Sequence, residues 1–529
     1  MRFAVCAVWL LATLGLGARE VAFLPGERWW GAANSFGRQM PFDEKSDLVI
    51  DLRASNYDNQ CAPLLISDKG RVIWTEAQCA FAFKKGSVDV DSPAEVSVER
   101  PGTDLPSAYR LAMRAHFPAS GKMPDPLFFS APQLNTWIEL TYHQNEQGII
   151  DYAKSMVSNG VPPGVLMIDD TWQAGYGDWR FDPTRFTDPV RMMDWLHAQG
   201  FKVMLWMCPY VNTNLPAFQC VREGVFRTAS GGVPQEREWW NGRSAFLDFS
   251  SPVARRWFGE TLDGLVRDFG VDGFKLDGGD LSAYELSTGV ASDPQTTNGR
   301  LNNGYADFAR RAPYCELRNL WRCQQIPVVV RLHDKPHVWE SLPRIVADMI
   351  AAGLLGYPYI CPDMVGGGEW TSFQPGKAFD PELFLRSAQV HALCPMMQIS
   401  ASPWRVLSPE HQEIFRRIVA LRQKFAPSFV KLAERAAVDG EPILRALEYN
   451  HPGMGYADIK DEFMMGMDLL VAPVLAKGVR SRSVVLPSGH WVADDGAEYD
   501  GPATVDVLVP LDRLPHFRRV ADDPRRVGQ

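Results

Sequence analysis

The stretch Ser251–Asp280, SPVARRWFGETLDGLVRDFGVDGFKLDGGD, carries the decision on the fold. Its first part has the length and apolar spacing of an amphipathic helix. The VDGFKL that follows is short and apolar, as a strand buried on both faces should be. The chain then leaves the strand at Asp277, where Gly278 and Gly279 allow backbone and ligand to come close. A helix feeding a buried strand that ends on an acid is one unit of a parallel α/β fold.

The same texture recurs on either side. Strand candidates are TWIELTY (136–142), GVLMIDD (164–170), KVMLWMCPY (202–210), VDGFKLD (271–277), IPVVVRLHD (326–334), GYPYICPD (356–363), CPMMQIS (394–400) and PILRALEY (442–449). Helix-length segments such as DPVRMMDWLHAQG and VWESLPRIVADMIAAG separate most of them. Eight strands alternating with helices over roughly 320 residues predict an α/β fold of the (β/α)8, or TIM-barrel, type. A doubly wound open sheet is the rival, but it usually announces itself by a Gly-rich phosphate turn after its first strand, and none is present.

The flanks differ. Residues 19–131 read as an all-β N-terminal β-sandwich, with runs such as LVIDL, PLLIS and RVIWTE between turn residues. The barrel is expected over 132–461. From 462 to 529 the chain returns to β texture, in LLVAPVL, SRSVVLP and TVDVLVPL, which predicts a small C-terminal β-sandwich.

Residues 1–18 look like a signal peptide: Arg2, an apolar run from Phe3 to Leu16, then Gly17 and Ala18. The expectation is a secreted or lumenal protein with no membrane span after cleavage; an uncleaved signal-anchor is the alternative. Without Cys6 eight cysteines remain. Cys61/Cys79, Cys208/Cys220, Cys315/Cys323 and Cys361/Cys394 are candidate disulfides whose connectivity sequence leaves open. The absence of tight CxxC spacing and the sparse histidines argue against a structural zinc site, and no metal or organic cofactor is implied. A net charge of −9, without a long Lys/Arg run, argues against nucleic acid as a partner.

Five strand candidates end in or run into polar groups: Asp169-Asp170, Asp277, Arg331 with Asp334, Asp363, and Ser400. A single such acid is as readily a helix cap or rim salt bridge. In a barrel, however, strand ends converge on one mouth. Acids interleaved with Lys and Arg, with aromatics adjacent, suit glycoside chemistry, where one carboxyl must be ionised and another must deliver a proton. Lys275 shares pleat parity with Asp277, so a cation can hold that carboxylate ionised.

These strings resemble glycoside hydrolase family 31, retaining α-glycosidases. The likeness lies in PLLISDKGRVIWTE (63–76), DWRFDPTRFTDPVRMMDWLHAQGFKVMLWMCPYV (178–211), FKLDGGD (274–280) and DEFMMGMDLLVAPVLAKGVRSRSVVLP (461–487). The resemblance implies a double displacement with Asp277 as nucleophile. It implies Asp334 as acid/base, five residues before Trp339 in RLHDKPHVWESL, a segment that lacks the family's Trp-x-Gly-Asp form. Asp363, in CPDMVGGG, is the alternative acid and otherwise resembles a sugar contact. Asp169 matches the family's contact to non-reducing-end hydroxyls, with Asp170 beside it. Lys275 and Arg331 look like further contacts, and Trp206 with either Trp239 or Trp240 would form aromatic walls. Core packing is the competing reading for each Trp.

Family members that cleave α-glucosides usually carry an Arg-Asn-His string where this chain has CPMMQISASPWRVL, with Gln398, Ile399 and Ser400. With the shortened RLHD segment, this makes the chain resemble a branch that includes bacterial α-galactosidases. The expected activity is on terminal α-galactosides, and the expected partner is a small-molecule or glycan substrate with a terminal α-linked sugar. An α-glucosidase or α-xylosidase, a catalytically inactive glycan-binding homologue, and a subunit of a larger glycan-processing complex are the rivals.

Overall fold

A computed structural model describes residues 18–53, 55–230, 232–284, 286 and 288–520. The apolar run of the expected signal peptide lies outside the described residues. No helix among the described residues is long and apolar enough to cross a membrane.

Eight short parallel strands form the central sheet: β1 (Gln133–Asn135), β2 (Val165–Ile168), β3 (Lys202–Met207), β4 (Gly273–Leu276), β5 (Tyr314–Leu317), β6 (Val329–Arg331), β7 (Ile360–Cys361) and β8 (Gln398–Ile399). Neighbours in sequence are neighbours in space, and β8 returns to β1 through Gln398↔Gln133 and Ile399↔Leu134. Just past β7, the parallel bridge Met364↔Gln398 closes the ring, with Val365 N donating to Gln398 O at 2.8 Å. The TIM barrel expected from the alternating pattern is the fold.

The opening stretch shows how its units are made. Helix Pro252–Phe269 starts at Ser251, whose hydroxyl accepts from Val253 N, with Pro252 at the first helical position. Ala254, Phe258, Leu262 and Leu265 form its buried face, spaced four, four and three residues apart. Gly270 ends it at φ +68°, its N–H closing on Val266 O. Three residues later β4 begins, every residue of it buried.

Three elements differ from the sequence reading. TWIELTY is not a strand. The strand lies just before it at Gln133–Asn135, and Trp137–Leu140 is a helical turn. The fifth barrel strand, YCEL (314–317), was not among the strand candidates. PILRALEY instead gives a two-residue strand, Leu444–Arg445, at the edge of the C-terminal sheet, followed by the turn Leu447–Asn450.

On the N-terminal side, two antiparallel sheets pack together, one of Arg19–Ala22, Ser87–Asp91, Ala80–Lys84 and Asp47–Asp51, the other of Trp29–Ala33, Gln60–Ser67, Val72–Thr75 and Val96–Glu99. The second sheet gains a strand from the barrel, Leu320–Trp321, paired with Gln60–Cys61. This region is not all-β. Asp104 and Ser107 form a capping box that starts helix Leu105–His116, whose buried side carries Leu105, Ala108, Tyr109, Ala112 and Met113. The C-terminal region is a six-stranded antiparallel sheet with its own core around Leu470, Val484, Trp491 and Phe517.

None of the four candidate disulfides forms. The eight described cysteines are free, seven of them buried. Cys208 follows β3 inside the barrel while Cys220 is exposed on the short helix Phe218–Val221, and Cys61 and Cys79 belong to different layers of the N-terminal domain.

Candidate active site

The carboxyl-terminal ends of β2 through β7 bring most of the expected residues together. Asp277 leaves β4 buried and fully engaged. Its Oδ1 accepts from Gly278 N at 2.9 Å and from Arg318 Nε at 3.1 Å. Its Oδ2 accepts from Trp206 Nε1 at 3.1 Å and lies 3.9 Å from Lys275 Nζ. Burial opposes a charge here, but Arg318, Lys275 and Arg331, together with the Gly278 N–H, outweigh it and hold the carboxyl well below the usual carboxylate range. Trp206, expected as a wall, therefore reaches the carboxylate through its indole N–H.

Lys275 does share a face with Asp277, yet its nearest partner is Asp169 Oδ2 at 2.7 Å. Burial, the largest influence, works against its charge, but Asp169 together with Asp277 and Glu316 outweighs it, so the ammonium is held above its ordinary range. Asp169 Oδ1 accepts from Asp170 N at 2.8 Å. Asp170 is occupied differently. Thr171 N, Gln173 Nε2, Tyr176 OH and Asn241 Nδ2 all donate to it. Burial, the largest influence on Asp170, pushes its carboxyl up to about 7.

Arg331, at the end of β6, is fully buried and central to a second cluster. Its Nε is 3.2 Å from Glu316 Oε1 on β5, and its Nη1 reaches Asp334 and, at 3.5 Å, Asp363 Oδ1. Nη2 has no hydrogen-bond acceptor among the described residues. Asp334 contrasts with Asp277: its side chain is 39% exposed. Asp363 is fully buried and braces the loop that carries Asp334, Oδ2 accepting from Lys335 N at 2.8 Å and Gly368 N at 3.2 Å, Oδ1 from Met364 N at 2.7 Å. Burial, then the nearby Asp334, raise Asp363 to about 7. The loop needs glycine at 368, since a Cβ there would stand 2.6 Å from both Asp334 Oδ1 and Asp363 Oδ1.

The aromatic side chains come from the connections after β1, β2, β3 and β7. Trp239 is half-buried, its ring 4.4 Å from Tyr210 and 4.6 Å from Tyr176, which in turn lies 6.2 Å from Trp206. Trp240 next to it is 49% exposed. Trp137, Tyr142 and Trp370 pack edge to face, and Trp137 Nε1 donates to Gly368 O at 3.1 Å.

Sequence reasoning missed Glu316 and Arg318, both on or just after the unrecognised β5. It missed as well the reach of the N-terminal domain into the rim. Asn59 Oδ1 accepts from His333 N at 2.8 Å, Gln60 Nε2 donates to Arg331 O at 3.0 Å, and Arg318 Nη1 donates to Asp58 O at 3.2 Å. In CPMMQIS, Gln398 is buried in the barrel, donating to Glu316 Oε2 at 2.9 Å, and Ser400 Oγ accepts from Ile138 N at 2.7 Å.

Comparison with known proteins matches this arrangement to one family. The glycosyl hydrolases family 31 TIM-barrel domain model covers residues 126–432, and that of the family's C-terminal domain covers 440–520. The chain is 33% identical over 432 residues to the mouse (Mus musculus) myogenesis-regulating glycosidase, covering 79% of this chain and 60% of that protein. It is 27% identical over 367 residues to a 1,3-alpha-isomaltosidase of Kribbella flavida (63% and 50%), and 24% identical over 472 residues to an alpha-xylosidase of Lactiplantibacillus pentosus (84% and 60%). The chain thus spans 50% to 60% of the length of these relatives. Among solved structures, a family 31 alpha-xylosidase from a soil metagenome superposes with TM-score 0.83 at 21% identity, over 96% of this chain and 80% of that one. With both family domains matched in order around this barrel, the chain belongs to glycoside hydrolase family 31.

Proposed function

We propose that this protein is a retaining, exo-acting α-glycosidase that hydrolyses terminal α-galactosides. The observation that carries the reading is the contrast at the barrel mouth: Asp277 buried under three donors and held ionised, Asp334 half-exposed on a braced loop. A carboxylate in the first state is a nucleophile, and a carboxyl in the second can exchange protons with water.

In the first step an Asp277 oxygen bonds to the sugar C1 as the glycosidic C1–O bond breaks, and the departing oxygen takes a proton from Asp334. In the second, Asp334 removes a proton from water, the water oxygen bonds to C1, and Asp277 leaves with its charge restored. Arg331 bears on both carboxyls.

The galactose preference rests on two features. The segment that carries Arg-Asn-His in α-glucoside-cleaving relatives here turns Gln398 and Ser400 inward onto protein partners, so neither presents a His-like contact. Asp169 and Lys275, joined at 2.7 Å, offer an acceptor and a donor side by side for an axial 4-hydroxyl. A secreted or lumenal location remains part of the proposal and rests on the apolar run from Phe3 to Leu16.

The test is a panel of 4-nitrophenyl α- and β-glycosides, with the anomer of the first-formed sugar read by NMR. Turnover of the α-galactoside with retention is expected. Preference for the α-glucoside or α-xyloside would overturn the sugar assignment alone. Binding without turnover would make the protein a glycan-binding homologue.

A further inference from the structure

The hairpin Glu236–Trp239/Gly242–Phe246 lies in the long connection after β3, and its tip, Trp240-Asn241, has no role in the chemistry above. The pairing Trp239↔Gly242 leaves those two residues as the whole turn, and Tyr210–Val211 ties the base to the barrel by pairing with Ala245–Phe246. Such a turn needs nothing from the rest of the protein. Asn241 nevertheless uses its amide to join three separate barrel loops. Its Nδ2 donates to Asp170 Oδ2 at 2.6 Å and to Tyr176 OH at 2.6 Å, both after β2. Its Oδ1 accepts from Tyr142 OH at 2.9 Å, in the loop after β1.

The join completes a wall. From Asn241, one side runs through Tyr176 to Trp206 and the Asp277 carboxylate. The other runs through Tyr142 and Trp137 to Gly368, which lies against Asp334 and Asp363. The pocket is thus walled from one carboxyl round to the other, and Asn241 is the link at the Asp169–Asp170 end. Asp170 accepts from Thr171 N, Gln173 Nε2 and Tyr176 OH as well as from Asn241, so the link ends on a carboxylate that is itself held in place.

We propose that Asn241 is a specificity-determining positioning residue that locks the hairpin across the Asp169–Asp170 end of the pocket, so that the site admits a chain-terminal pyranose and rejects one substituted at its far edge. The inference rests on the functional reading above, and its test separates the two.

Pyranose binding is followed by tryptophan fluorescence, using galactose, glucose and xylose as probes on the full chain. Wild type, Asn241→Ala, Asn241→Asp and the same-hairpin control Glu238→Ala are compared. Losing the shared amide should weaken binding of the preferred sugar by about tenfold in Asn241→Ala, as expected for roughly one hydrogen bond. Asn241→Asp, which sets a carboxylate against Asp170, should weaken it more. Glu238→Ala should bind as wild type. In turnover, KM should rise more than kcat falls, and the relative rate on a 6-O-substituted galactoside should increase. Equal affinity in wild type and Asn241→Ala, or an equal loss in Glu238→Ala, overturns the inference. Absence of any sugar response in wild type instead overturns the functional reading, and this inference with it.

Discussion

The ends of β4 and β6 sit on the same barrel rim and each delivers an aspartate, but they treat it in opposite ways. Asp277 is buried, both oxygens engaged by an indole N–H, a backbone N–H and a guanidinium. Asp334 meets Arg331 and is otherwise open to water on one side. A buried carboxylate surrounded by cations is costly to protonate, and Asp277 is held as the anion in that way. The fold thus gives one residue type two surroundings, and the cations around the buried aspartate come from β4, from just after β5 and from β6.

Removing the buried member should have the largest effect. Asp277→Asn keeps the shape and several hydrogen bonds but deletes the nucleophile, so turnover of an aryl α-galactoside should fall by on the order of 10⁴-fold with the thermal midpoint little changed. Wild-type rate in that variant would remove Asp277 from the chemistry. Asp334→Ala should cost about 10² to 10⁴ on substrates with poor leaving groups, and much less on a 4-nitrophenyl glycoside whose departure needs no proton. Equal losses on both substrates would count against the acid role.

Arg318→Ala sharpens the comparison through pH. Asp277 has a depressed pKa in the folded protein, so its ionised form stabilises the fold above the unfolded carboxylate value of about 3.9, and that contribution is lost as pH falls through the folded value. Arg318 is the largest of the influences lowering it. Without Arg318 the pKa of Asp277 rises, and the acid limb of kcat/KM should move to higher pH; an unmoved limb would contradict the assignment. Glu316→Ala leaves Arg331 buried without its β5 partner. It should destabilise the fold by about 3 kcal/mol or more, seen as a lower denaturation midpoint, with a smaller effect on rate than the preceding variants.

The same contrast separates what was readable in the sequence from what was not. Asp277 stands at the end of a run that is apolar but for Lys275, after a helix with clear start and stop signals, so strand, exit point and cation were all visible. β5 was hidden because its four residues carry Glu316 at the third position. A buried ion pair looks, in sequence, like a solvated loop. Arg318 was lost with it, and so was the cation nearest the nucleophile. TWIELTY has the β-branched and aromatic texture of a strand, yet Asn135 accepts from Trp137 N and turns the chain into a helical turn there. The eight cysteines paired plausibly along the chain, while their separation among layers depends on tertiary packing. Asn241 did leave a signal, the Asn-Gly between two strand-like runs in REWWNGRSAFLDF, which marks a hairpin; its three hydrogen-bonding partners lie 65 to 99 positions away and leave none.

The central claim is that Asp277 forms a bond to the sugar. Incubation with a fluorinated α-galactosyl fluoride that slows the second step, followed by proteolysis and mass measurement, tests it directly. One added fluorogalactosyl group is expected, on the peptide carrying Phe274–Asp280 and at Asp277. A label on Asp334 or Asp363, or an active enzyme that hydrolyses the reagent with inversion and never accumulates a label, would contradict it.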